Sequence, residues 1–247
     1  MARTEWDYSA LAAHYDSRAE YAVEAIDAIL AGLALASGSQ VADVGAGTGK
    51  LARPMAQRGL VVSAVEPNDQ MREYGIRNTR GMAVSWREGT GEATGLSDGS
   101  VNAVTFGSSF NVVNQQAALA ESRRIVKQGG GFCCMWNHRD LDDPLQARIE
   151  TIIRREVPGY DYGTRRQDPS EVLRTSGMFE QVTPFSAGFA VEMTRDALMD
   201  AWRSHGTVAR QAGVRFKEVL QQIEDEIDAD VVQVPYTTRG WYARFRG

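Results

Sequence analysis

Apolar and polar residues alternate in blocks along the chain. Short, mostly apolar runs, residues 40–44, 60–65, 83–87, 101–106 and 132–136, alternate with longer stretches whose apolar positions recur every three or four residues. Runs of the first kind suit parallel strands buried on both faces, and stretches of the second kind suit helices. The pattern predicts helices over 4–18 and 20–33, then a strand–helix alternation to residue 136. Beyond it come a helix carrying Leu145, Ile149, Ile152 and Ile153, a helix at 169–176, a strand at 179–191, helices at 195–204 and 207–228, and a final strand at 231–245. Strands regularly alternating with helices imply an α/β sheet with helices on both faces.

The first strand ends in Asp43-Val44-Gly45-Ala46-Gly47-Thr48-Gly49-Lys50, with Leu51, Ala52 and Met55 following at helical spacing. Glycine belongs where a backbone bends sharply or a ligand approaches with no Cβ in the way. Amides at the start of the following helix would face that ligand and favour negative charge. A dinucleotide fingerprint would need its last glycine at Lys50, and no Walker loop is present. The second strand ends at Glu66-Pro67-Asn68, and an acid at that position accepts hydrogen bonds from both hydroxyls of a ribose. Met71, on the next helix, is placed to lie against an adenine. The fourth strand ends at Phe106, with Gly107-Ser108-Ser109-Phe110-Asn111 at its carboxyl end, where ligands bind in open α/β sheets.

The spacing Asp43-x-Gly45-x-Gly47-x-Gly49 resembles the first motif of the class I S-adenosylmethionine-dependent methyltransferases. Arg124-Ile125-Val126-Lys127-Gln128-Gly129-Gly130, leading into the fifth strand, resembles a second cadence of that family. Together the resemblances span residues 38–136. They imply a Rossmann-like, seven-stranded, mostly parallel sheet in the order 3-2-1-4-5-7-6, with strand seven antiparallel and a helical cap. One domain over 1–247 is expected, its core at about 35–136 and its cap drawn from 1–34, 137–178 and 188–230. S-adenosylmethionine is the implied cofactor, and the implied activity is in-line methyl transfer to an O, N or C atom of a small molecule. The resemblance places Glu92 and Ala93 at the adenine edge and makes Tyr15, in a Tyr-Asp pair near the N-terminus, part of a lid. The expected cofactor set is therefore Tyr15, Asp43, Gly45, Ala46, Gly47, Gly49, Glu66, Pro67, Met71, Glu92, Ala93, Phe106 and Ser108. Asn111 stands where many relatives carry histidine. With His138, which follows the fifth strand, it forms the expected catalytic pair. Tyr160, Tyr162, Phe189 and Trp202 are expected at the acceptor mouth, or else as the cap's own core.

Composition narrows the partners. With 247 residues and a formal net charge of −5, the chain lacks the basic balance that a nucleic-acid backbone calls for. Cys133 and Cys134 sit adjacent in an apolar run, as buried thiols would. No apolar run reaches about 18 residues, and the N-terminus lacks an apolar signal core. The expectation is a cytoplasmic monomer or homodimer without membrane or metal. A dinucleotide-dependent oxidoreductase and a non-catalytic cofactor-binding module are the alternatives; Lys50 weighs against the first, and the intact glycine set with Glu66 against the second.

Overall fold

The computed structural model describes residues 12–163 and 167–247. Most of the expected first helix, including Tyr8 and Leu11, and the arginines Arg165 and Arg166 lie outside the described residues. In chain order the elements are α1 (Ala12–Tyr15), α2 (Val23–Gly32), β1 (Gln40–Val44), α3 (Ala52–Gln57), β2 (Val61–Val65), α4 (Asp69–Asn78), β3 (Val84–Arg87) and β4 (Val101–Gly107). They continue as α5 (Gln115–Ile125), β5 (Val126–Arg139), α6 (Pro144–Glu156), α7 (Ser170–Thr175), β6 (Phe179–Thr194), α8 (Arg195–Arg203), α9 (Gly206–Ala212), α10 (Phe216–Asp225) and β7 (Val231–Phe245).

The seven strands form one sheet in the order β3-β2-β1-β4-β5-β7-β6. β1, β2, β3, β4 and β5 are parallel, and β7 runs antiparallel to both β5 and β6. This is the expected topology. Strand order reverses at β1, which lies between β2 and β4, so the crevice beyond its carboxyl end is the place where such sheets bind ligands. β1 sits there because Val41, Ala42, Asp43 and Val44 are all buried. On one sheet face Ile26 and Ile29 of α2 and Met55 of α3 pack on Val41, Val62 and Met135. On the other, Leu119 of α5 and Leu173 of α7 pack on Val104, Phe132 and Phe245.

Local chemistry fixes where helices begin. Asn68, Asn114, Asp143 and Thr194 each cap a helix, the side-chain oxygen accepting from the backbone amide three residues on. The expected helix over 207–228 is instead two helices, α9 and α10, joined by a short 3-10 turn. Gly213, at φ 54°, closes α9 in a left-handed conformation that a continuing helix excludes. β5 starts at Val126 rather than at Phe132, because its polar, glycine-rich lead-in still pairs with β4 through an irregular register at Val101 and Ala103.

β6 and β7 pair as far as Thr194 and Val231, so the hairpin they form carries α8, α9 and α10 between them. Together with α6 these helices enclose a third core built on Ile149, Ile153, Leu198, Trp202, Val219 and Ile223. β5 enters this side at Asn137, His138 and Arg139, which pair with Thr238, Thr237 and Tyr236 at the start of β7. The cap core therefore sits over the carboxyl ends of β4 and β5. Among the described residues no helix is long and apolar enough to cross a membrane.

Candidate functional site

The glycine turn after β1 is held by its neighbours rather than by a helix. Gly45, Gly47 and Gly49 have φ of 67°, 58° and 86°, a region costly for any residue with a Cβ. The amides of Gly45 and Ala46 donate to Val65 O at 2.8 and 3.1 Å, which ties the turn to the end of β2. The next amide, Gly47 N, donates to Glu66 Oε2 at 2.8 Å. Glu66 Oε1 accepts from Asn68 N at 2.9 Å. One buried carboxylate thus fastens the glycine turn to the start of α4. Burial pushes its pKa up, and the two amides and Arg72 oppose that rise. Each oxygen retains a second acceptor direction.

Beside the turn lies a cavity of about 160 Å3 that runs from Gly45, Gly47 and Asp43 on the sheet side to Tyr160, Trp202 and Thr207 on the cap side. Asp43 is fully buried; its Oδ1 accepts from Thr105 Oγ1 at 3.2 Å, while Oδ2 has no hydrogen-bond partner among the described residues. Burial raises its pKa to about 7. Ser108, at φ 59°, shares a 3.0 Å hydrogen bond with the Tyr21 hydroxyl. Burial pushes the Tyr21 phenol well above its ordinary range, so it stays protonated.

The structure brings Tyr15, Asp43, Gly45, Ala46, Gly47, Ser108 and His138 to this cavity. Met71 is buried near the turn, its methyl carbon 3.4 Å from where a Cβ on Gly47 would stand. Pro67 is half-buried between Glu66 and the Asn68 cap. Four expected residues lie elsewhere. Gly49 faces Thr79 and Trp86, so its missing side chain makes space for packing. Phe106 is fully buried, its ring against Phe110 and Phe132 at 5.3 and 5.6 Å. Glu92 Oε1 accepts from Asn114 N at 2.7 Å, at the start of α5. Ala93 is exposed and exchanges backbone hydrogen bonds with Thr90.

Of the expected catalytic pair, only His138 reaches the wall. Asn111 sits in a 3-10 turn and its Oδ1 accepts from Trp136 Nε1 at 2.8 Å, so it orients a ring that lines the cavity. Tyr160, Tyr162 and Trp202 belong both to the cavity wall and to the cap core. Phe189 instead stacks on Tyr236 at 5.6 Å and lies off the wall.

Further lining residues add polar chemistry to the wall. Lys50 reaches across to donate to Asp16 O at 2.7 Å, and burial lowers its pKa to about 8. Tyr21 has two readings from the sequence, packing on the body or, with Tyr15, a lid over the cofactor. Arg139 is nearly buried, with its guanidinium over the Trp202 ring at 4.2 Å. Its address next to His138 at the end of β5 was the available signal.

A sheet in this order, with an acid-anchored glycine turn at its switch point, defines the class I methyltransferase architecture. Residues 42–134 match the model of a methyltransferase domain family, which supports a class I methyltransferase fold over that stretch. It is 37% identical over 148 residues to an uncharacterized methyltransferase of Mycobacterium tuberculosis, a match covering 60% of this chain and 58% of that protein. The chain thus spans less than two thirds of that relative's length. A ubiquinone/menaquinone biosynthesis C-methyltransferase of Rubrivivax gelatinosus is 36% identical over 103 residues, 40% of this chain and 39% of that one. In fold, the chain is similar to the YcgJ protein of Bacillus subtilis, with a TM-score of 0.55 at 15% identity, covering 91% of this chain and 99% of that one. A Haemonchus contortus phosphoethanolamine N-methyltransferase solved with S-adenosylhomocysteine gives a TM-score of 0.57 at 14% identity, covering 98% of this chain and 58% of that one.

Proposed function

We propose that this protein transfers a methyl group from S-adenosylmethionine to a small-molecule acceptor bound beneath the cap. The observation that carries the reading is one continuous cavity whose two ends differ in chemistry. At the sheet end lie the glycine turn held by Glu66 and the buried Asp43; at the cap end lie aromatic rings. The residues fit the cofactor. Glu66 suits the ribose hydroxyls, the turn admits a ligand where Gly47 has no Cβ, and the unpartnered Asp43 Oδ2 suits an ammonium group. When bound, the cofactor supplies an electrophilic methyl on a sulfonium.

The chain's own part is then mainly positioning. Holding a nucleophilic atom in line can supply much of the barrier reduction, and a base is needed only for an acceptor that is protonated at neutral pH. His138, on the wall at the end of β5, is the residue we assign to that proton where one must leave. Tyr21 stays protonated and serves as a donor to Ser108 or to ligand. The acceptor atom is O, N or C, and the setting we infer is a cytoplasmic enzyme of small-molecule metabolism.

Calorimetry with S-adenosylhomocysteine and with NAD tests the reading. Micromolar-class binding of the first and no comparable binding of the second are expected. Binding of NAD alone would overturn it.

A further inference from the structure

The cap side of the cavity presents hydrogen-bond donors that the protein leaves without acceptors. Trp202 Nε1 and Thr207 Oγ1 are buried and have no hydrogen-bond partner among the described residues, and both side chains line the wall. Leaving such groups unmet carries a desolvation cost, so a ligand that satisfies them gains by it.

Arg139 adds charge to the same wall. Its side chain is only 11% exposed; Nη1 donates to Gln146 Oε1 at 3.0 Å, and Nη2 stands 3.7 Å from Glu150 Oε2, beyond hydrogen-bond reach. The other Glu150 oxygen accepts from Arg154 Nε at 2.8 Å. Arg154 stands out toward solvent, so on the wall itself Arg139 faces Glu150 across a gap too long for a hydrogen bond and keeps unused donors. A guanidinium offers five donors in a planar fork, and Arg139 uses few of them. Lys50 and Arg18 also line the cavity, whereas Asp43, at the opposite end, is the one acid among the described lining residues.

Resting on the methyl-transfer reading above, we propose that the acceptor is a small carboxylic acid, its carboxylate received by Arg139. Its body lies along the ring wall of Tyr160, Trp202 and Tyr236. The planar fork matches a carboxylate in two parallel hydrogen bonds. A cationic acceptor meets like charge here.

The test uses the whole protein loaded with S-adenosylhomocysteine and titrated with benzoate and phenylacetate, each beside its neutral amide and its amine. The carboxylates are expected to bind at least tenfold more tightly than the amides, and the amines not to bind. Arg139→Gln should bring carboxylate and amide to equal affinity while leaving S-adenosylhomocysteine affinity within twofold. Amides or amines that match the carboxylates, or a panel in which nothing binds, would overturn the proposal. Should Arg139→Gln fail to fold, the ranking on the unaltered protein decides alone. Failure to bind S-adenosylhomocysteine sinks the methyltransferase reading itself, whereas binding it with no preference for carboxylates sinks this inference alone.

Discussion

The sheet end and the cap end of the cavity solve opposite problems. At the sheet end, the backbone of the turn is matched within the protein, and Asp43 Oδ2 is left for a ligand: the amides of Gly45, Ala46 and Gly47 all have acceptors, and Glu66 holds an amide on each oxygen. At the cap end, Trp202 Nε1 and Thr207 Oγ1 lack partners and Arg139 is under-bonded. A turn that must present one shape to one cofactor profits from being rigid before the ligand arrives. A wall with unmet donors gains its full set of contacts only with an acceptor in place. The family match ends at residue 134, before most of the cap-side wall.

The largest effect expected is from Gly47→Val. The backbone there is left-handed, and a Cβ would come within 3.4 Å of Met71 and 3.8 Å of Tyr15. A branched side chain strains the turn and fills the approach. Calorimetry should show no S-adenosylhomocysteine binding while circular dichroism shows a folded protein. Unchanged binding would remove the turn from the cofactor site. Glu66→Ala should act less sharply. It deletes the partner of two amides and of the expected ribose contacts, so affinity should fall by about 1.5–3 kcal/mol per charge-assisted bond. Melting temperature should fall as well, because Gly47 N and Asn68 N lose their acceptor. An affinity equal to that of the unaltered protein would refute the ribose assignment.

The same contrast explains what could be read from sequence. β1 and β2 appear close to their expected spans because buried strands are written as mostly apolar runs, and the glycine turn is spelled by residue type. Glu92 and Phe106 are a different matter. Both lie in the expected neighbourhood, but the direction of each side chain follows from tertiary partners, Asn114 for one and the aromatic cluster of Phe110 and Phe132 for the other. Arg139 was visible as a residue but not as a buried cation, since its burial depends on α6 and α8 folding over β5. The break between α9 and α10 rests on one glycine, whose left-handed backbone no periodicity reveals.

Two substitutions at the end of β4 and β5 separate orientation from chemistry. Asn111→Ala strands Trp136 Nε1, which should cost about 1–3 kcal/mol of stability in urea unfolding and slow turnover by misplacing a wall ring. His138→Ala should leave S-adenosylhomocysteine affinity intact and lower kcat, most strongly for acceptors that must lose a proton. Equal stability of Asn111→Ala and the unaltered protein would mean that water or another group replaces the amide. An unaltered kcat for His138→Ala would assign proton removal elsewhere.

The smallest signal expected is a proton count at Asp43. Burial raises its pKa from 3.8 to about 7, so in the ligand-free fold near pH 6 it is largely protonated. The folded state then binds more protons than the unfolded chain between those values, and this group's contribution to stability falls as pH rises through that window. Glu66 is shifted in the same direction, so stability against pH alone does not isolate Asp43. Ligand binding does. An ammonium group beside Oδ2 favours the carboxylate, and S-adenosylhomocysteine binding at pH 6 should release up to about one proton, falling toward none above pH 8. Calorimetry in buffers of different ionisation enthalpy reads that number directly, and Asp43→Asn should abolish it. Proton uptake, or release unchanged in Asp43→Asn, would move the ammonium contact away from Asp43 and with it the polarity assigned to the sheet end of the cavity.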